Sequence, residues 1–183
     1  MSFIHADQPW CTVRYLGDEY GLLGGFHFST TIEEEIAKIK QNDPAKYAYA
    51  SRETKMTRPR WRIDEGGRLW LEEIRVLTYT PPSKATSYPR YHGLASDVTF
   101  QVANGELLMK VITLPAHPYP ILGTWVKSMR LLVSDEIISP NKTGKVTVRQ
   151  EILTLWFEEG RVVETRRTRE EVRAIRLGNY IEE

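Results

Sequence analysis

With 183 residues, 41% of them hydrophobic and 27% charged, and a formal net charge of +1, the chain has the make-up of an ordinary globular protein, long enough to bury a core. That balance excludes a global field able to draw in nucleic acid or an anionic membrane, so any basic surface has to be local. The single cysteine, Cys11, excludes an intrachain disulfide framework and a cysteine-rich metal site, and predicts a reducing, cytoplasmic setting.

Met1 to Asp7 carries neither the basic start nor the apolar stretch of a signal peptide. No apolar run approaches the ~20 residues a bilayer-spanning helix needs, so no membrane partner is expected. Trp10 to Leu16 reads as a first strand, Asp18 to Gly21 as a turn, and Leu22 to Phe28 as a second strand weakened by Gly24 and Gly25. The period then changes. Ile32, Ile36 and Ile39 recur at helical spacing, Thr30 with Glu33 or Thr31 with Glu34 forms a capping box, and Asn42-Asp43-Pro44 ends the run. A helix over about 31–41 is predicted. Lys46 to Ser51 reads as a short strand or a helical turn.

Three segments share one turn chemistry: Trp61 to Leu69 around Gly67, Phe100 to Leu107 around Gly105, and Trp156 to Val162 around Gly160. A glycine supplies the positive φ of a tight hairpin, and aromatic and β-branched flanks suit strands. The predicted hairpin arms are Arg60 to Asp64 with Arg68 to Val76, Ser96 to Ala103 with Glu106 to Leu114, and Gly144 to Phe157 with Arg161 to Arg167. In the first arm Trp61 and Ile63 share one face, and Arg60, Arg62 and Asp64 the other. Thr78 to Gly93, with Pro81, Pro82 and Pro89, reads as a long loop, and Pro115, Pro118 and Pro120 mark a second proline-rich connection. Gly123 to Val133 reads as a strand. Thr168-Arg169-Glu170-Glu171 is a second capping box, and Val172 and Ile175 predict a short C-terminal helix.

The fold class that follows is α+β. A mostly antiparallel sheet of roughly eight to ten strands, built from hairpins and either strongly curved or folded as a β-sandwich, carries one main helix over about 31–41 and a short C-terminal helix. The glycine turns recur at unequal spacing, which excludes a repeat array, and no linker divides the pattern, so residues 1–183 are expected to form a single β-rich domain.

No catalytic, cofactor or metal motif stands out. His5, His27, His92 and His117 show no metal-ligand spacing, and neither glycine pair belongs to a phosphate-binding loop. No cofactor and no metal are expected. His27, between Phe26 and Phe28, reads as a core or edge histidine. Ser96 and Asp97 after His92 suggest hydrolase chemistry, but no nucleophile elbow accompanies them. Glu72-Glu73, Glu158-Glu159 and Glu170-Glu171 are adjacent strand residues that point to opposite faces, which suits solvated charges better than a pair of facing carboxylates. Arg58, Arg60, Arg62 and Arg68 surround Trp61, and Arg161, Arg166, Arg167, Arg169, Arg173 and Arg176 crowd the C-terminus. A β face of arginine and aromatics can bind nucleic acid. The interleaved Glu65, Glu72, Glu73, Glu164, Glu170 and Glu171 favour paired, solvated arginines instead.

The proline-rich loops hold the remaining candidates. Tyr88, Arg90, Tyr91 and His92 in the first, with His117 and Tyr119 in the second, bring large amphipathic side chains to segments of reduced chain entropy. These are expected partner-binding residues. The functional expectation is a small cytoplasmic protein-binding module, in its most specific form an immunity-like or inhibitor protein. One alternative is an enzyme with an unfamiliar polar site around His92, Asp97 and His117. Another is a nucleic-acid binder using the Arg58 to Arg68 strand.

Two stretches carry a family resemblance. Tyr49-Ala50-Ser51, Trp61-Arg62-Ile63 and Leu69-Trp70-Leu71 form the first, and Trp125-Val126, Met129-Arg130-Leu131, Glu136-Ile137-Ile138, Glu151 and Gly160-Arg161-Val162-Val163 the second. Their order and rough spacing over about residues 49–167 resemble a family of small bacterial β-rich proteins without an assigned activity. Arg52-Glu53-Thr54-Lys55 stands where that family has a Cys-Trp-Arg-Gly-Tyr core. The resemblance implies a β-rich fold and transfers no site residues.

Overall fold

The computed structural model describes residues 2–5, 11–47, 57–80, 100–102, 105–140 and 145–177. It is α+β, with eleven strands in an open, mixed sheet, one main helix and one single-turn helix among the described residues. The chain forms two compact units that interleave in sequence. The first holds Met1–Phe26, Trp61–Trp70 and Leu122–Glu183, and the second His27–Arg60 and Leu71–Ile121.

In the first unit, β1 (Ser2–His5), β2 (Thr12–Tyr15), β3 (Asp18–Leu23), β9 (Ser128–Pro140), β10 (Lys145–Glu158) and β11 (Arg161–Leu177) lie in the order β1-β11-β10-β9-β3-β2. β10 is laddered on both sides. Val148 and Gln150 are buried before β9 slips one residue out of register at Glu151/Ile152, and Ile152, Leu153, Leu155 and Phe157 are buried after it. A bulge of this kind exchanges which strand face meets the core, so one strand feeds two phases of apolar packing. Trp61, from the end of β4 (Thr57–Ile63), lies 6.1 Å from Trp125. A Cβ on Gly123 would stand 3.0 Å from both Leu69 and Trp61, so only glycine fits there.

Three differences from the sequence reading belong to this unit. The first turn is Leu16-Gly17, not Asp18 to Gly21. Both residues have positive φ, 50° and 84°, and Asp18–Leu23 pairs directly with β2. The segment from Gly123 turns, with Val126 N–H donating to Gly123 O, and its strand begins only at Ser128. No C-terminal helix forms over Thr168–Leu177. That stretch continues β11, in register with β10 (Thr168 opposite Ile152, Val172 opposite Val148), while Ala174–Leu177 also pairs in parallel with β1. Ladder bonds on one side and then on both outweigh a local capping preference. The parallel pair makes the sheet mixed rather than mostly antiparallel.

In the second unit, α1 (Thr30–Asn42) buries Ile32 and Ile36, as the spacing predicts. Its N-cap is Ser29, whose Oγ accepts from Ile32 N at 3.3 Å, rather than either threonine of the expected capping boxes. Asp43 then accepts from Lys46 N at 3.2 Å and starts α2 (Pro44–Tyr47). β5 (Leu69–Thr80) enters this unit at Leu71 and pairs with β7 (Gly105–Val111), which pairs with β6 (Phe100–Val102). Along β5 the buried positions pass from Leu69 and Leu71 to Ile74, Val76 and Thr78, a one-residue slip at Glu72-Glu73. Thr78 to Thr80, expected to open the long loop, still pair with β7. The pairing is described as far as Thr80, opposite Glu106. Gly105 is likewise a paired residue, opposite Val102. A two-residue strand, β8 (Ile121–Leu122), closes the chain's passage through this unit.

Candidate functional site

Each unit carries one well-formed polar centre built around a carboxylate. In the first, Asp64 opens the turn between β4 and β5. Gly67 N–H donates to Asp64 O, and Gly67 takes φ 78°, the three-residue hairpin that ends in a left-handed glycine. The Asp64 carboxylate accepts from Trp70 Nε1 at 3.0 Å, from Arg68 N at 2.9 Å and from Arg68 Nε at 2.9 Å. The Trp70 indole, then the Arg68 amide and, against some desolvation, the Arg68 side chain lower the Asp64 pKa to about 2. The turn is seated by Leu69 N donating to Gly160 O and Val162 N donating to Gly67 O.

Beside this turn lies an open cleft of about 600 Å³ between the β2–β3 and β4–β5 turns. Arg14, Leu16 and Gly17 line one side, and Arg62, Arg68 and Glu65 are among the residues lining the other. Leu16 is 77% exposed and sits at φ 50°. A type I′ turn favours Asn, Asp or Gly at that position, and a leucine there is strained.

In the second unit Glu35 occupies the inner face of α1's second turn. One carboxylate oxygen accepts from Ala116 N at 2.9 Å and the other from His117 Nδ1 at 2.5 Å. Desolvation opposes its ionisation, but the bonds from His117 and Ala116, with the potentials of His117 and Lys38, outweigh it, and the Glu35 pKa is lowered. With Nδ1 donating, a neutral His117 ring presents Nε2 as an acceptor, and Thr31 Oγ1 lies 3.3 Å from it. Ser29 Oγ stands 3.1 Å from Thr31 Oγ1. Nearby, Tyr119 Oη donates to Ile112 O at 2.8 Å and accepts from Ile74 N at 3.2 Å, while Ile112 N donates to Ile74 O. The tyrosine hydroxyl thus stands in for one rung of the ladder just past the end of β7. Burial raises its pKa to about 12; the Ile74 amide works the other way, and the charges of Glu73 and Glu35 add to the rise.

Of the residues expected to bind a partner, Tyr88, Arg90, Tyr91 and His92 lie outside the described residues, as does Asp97. His117 and Tyr119 are described, and both make the internal bonds given above. The arginines near Trp61 have different surroundings. Arg58 is buried, Arg60 bonds Glu73 at 3.1 Å, and Arg68 is held by Asp64 and lies over the Trp70 ring. Trp61 and Ile63 are buried opposite the half-exposed Arg60, Arg62 and Asp64, as alternation predicts. Farther along, Arg130 pairs with Glu170, Arg149 with Glu171, Arg166 with Glu164 and Arg167 with Glu151. His27, at φ 58°, lies in the irregular segment before α1 and not in a strand, and burial lowers its pKa.

Sequence reasoning missed Leu16, Asp64, Thr31 and Glu35 as site residues. Leu16-Gly17 before Asp18 was a turn signal in plain view, as was the acidic Asp64 ahead of two glycines. Nothing local marks Glu35 or Thr31, because their partners lie more than eighty residues away. Among the described residues no group of three or more His, Cys, Asp or Glu comes together to hold a metal ion, and no helix is long and apolar enough to cross a membrane. Compared with known families, curated proteins and solved structures, the chain finds no match.

Proposed function

We propose that this protein is a small bacterial cytoplasmic binding module that acts by contact with another protein, in the manner of an immunity-like or inhibitor protein. The observation that carries the reading is Leu16. A leucine held at φ 50° and 77% exposed is strained in its backbone and leaves apolar surface in water. Backbone outliers of this kind cluster at ligand clamps and other functional surfaces. The cleft beside it brings Arg14 and Arg62, and arginine is enriched in interface cores. In this reading Tyr88, Arg90, Tyr91 and His92 supply further contacts.

The test is Leu16→Asn. Asparagine tolerates the left-handed conformation, so the variant should unfold at a higher temperature, by up to about 1 kcal/mol of added stability. Affinity purification from the native host should recover a partner with the wild type and lose it with the variant. Titration of the two purified proteins should then show at least a tenfold weaker Kd, about 1.4 kcal/mol. Equal Kd values for wild type and Leu16→Asn would remove the cleft from the reading.

A further inference from the structure

We propose that Thr31, His117 and Glu35 form an acyl-transfer centre, with Thr31 as nucleophile, His117 as general base and Glu35 as the positioning carboxylate, acting on small carboxylic esters. Three side chains from two segments far apart in sequence stand in the order nucleophile, base, carboxylate. The distances are 3.3 Å from Thr31 Oγ1 to His117 Nε2 and 2.5 Å from His117 Nδ1 to Glu35 Oε2. Nucleophilic hydrolases are recognised by this geometry rather than by fold or motif, and an unliganded nucleophile–base bond is commonly long.

The donors can run in one direction. With His117 neutral and Nδ1 donating to Glu35, Nε2 accepts from Thr31 Oγ1, and Thr31 Oγ1 can in turn accept from Ser29 Oγ, which itself accepts from Ile32 N. Glu35 cannot turn away, because its other oxygen holds the Ala116 amide at 2.9 Å. That same bond fixes the backbone next to the imidazole. Exposure rises along the chain in the sense a surface esterase needs: the Glu35 side chain is 14% exposed, His117 27%, and Thr31 is open to solvent. The carboxylate orients the base from a partly shielded position, and the nucleophile stands at the surface, where a small ester in solution can reach it.

The chemistry closes. Thr31 Oγ1 attacks the ester carbonyl carbon while His117 Nε2 takes its proton. The bond from that carbon to the alcohol oxygen breaks, and the proton passes from His117 to the departing alcohol, leaving acyl-Thr31. Water then attacks the same carbon, His117 takes the water's proton and returns it to Thr31 Oγ1, and the carboxylic acid leaves. Glu35 stays ionised throughout and keeps the ring oriented with Nε2 toward Thr31.

The experiment uses the full chain with p-nitrophenyl acetate. Nitrophenolate release above buffer is expected, with one acetyl group found by mass spectrometry on the peptide containing Thr31. Thr31→Val replaces an exposed hydroxyl by a methyl group and leaves the packing of α1 in place. It should remove the adduct and reduce release by at least about 100-fold, the scale of a lost acid–base partnership. Thr31→Ser should retain both. Glu35→Gln should lower kcat with KM kept, and Glu35→Asp should restore part of it. Hydrolysis at the buffer rate by the wild type, or acetyl transfer by Thr31→Val as fast as by the wild type, would overturn the proposal. The network would then be a staple holding Ala116 and His117 to α1.

Discussion

Asp64 in the first unit and Glu35 in the second are built alike and behave differently. Each carboxylate accepts one backbone amide and at least one side-chain donor. Around Asp64 the side-chain donors are an indole and a guanidinium, which keep their protons across the whole working range of pH. Its network therefore has one state, and it serves as a lock on a hairpin turn. The side-chain donor to Glu35 is an imidazole, whose second nitrogen faces a hydroxyl. In the proposed centre, what sets Glu35 apart from Asp64 is the next group along, not the carboxylate itself.

The comparison breaks most visibly if α1 loses its seat. Ile32→Ala, at a fully buried position, should destabilise by about 2–5 kcal/mol. In hydrogen exchange it should loosen residues 31–42 more than residues 61–70; equal loosening of both would join the two centres in one cooperative unit. Tyr119→Phe should follow at about 1–3 kcal/mol, because it leaves the Ile74 amide and the Ile112 carbonyl without the hydroxyl between them. Denaturant unfolding measures this, and an unchanged midpoint would mean that water replaces the hydroxyl. Gly160→Ala tests the seat of the Asp64 turn. At φ 78° a side chain costs about 1–2 kcal/mol, before its Cβ meets Leu122 at 3.1 Å.

Asp64→Asn sharpens the comparison through pH. The folded pKa, about 2, lies below the ordinary 3.8, so the ionised form is the one the fold favours. Its contribution is fully present above pH 3.8 and is lost as pH falls through about 2. Wild type should therefore exceed the variant in stability at neutral pH, and the two should converge in acid unfolding below that window. A gap that persisted below pH 2 would place the effect in packing. Least of all, Arg149→Ala should shift stability by no more than about 0.5 kcal/mol, since its partners Glu136 and Glu171 are exposed and water screens the pairs. A larger loss in thermal unfolding would make the arginine–glutamate ladder part of the fold's support.

Much of this was readable along the chain. The isoleucine spacing of α1, the alternation in Trp61 to Asp64 and the glycines of the Gly67 and Gly160 turns depend on residues a few positions apart, and the structure bears each of them out. The C-terminal stretch was misread for the opposite reason. Arg166 to Arg173 puts charges on both faces of β11, so no alternation marks a strand, and a local capping pattern stood in its place. Only β10 on one side, and β1 beside its last residues, make it extended.

The sequence by itself determined the class of elements and the positions of tight turns, because propensity, periodicity and left-handed glycines are local properties. Tertiary structure alone decided that β1 joins β11 in parallel, that Leu16 stands strained beside a cleft, and that Glu35 meets His117 across eighty-two residues of chain. Those outcomes depend on which backbone amides and side chains arrive together once distant segments pack, and no window of neighbouring residues contains that information.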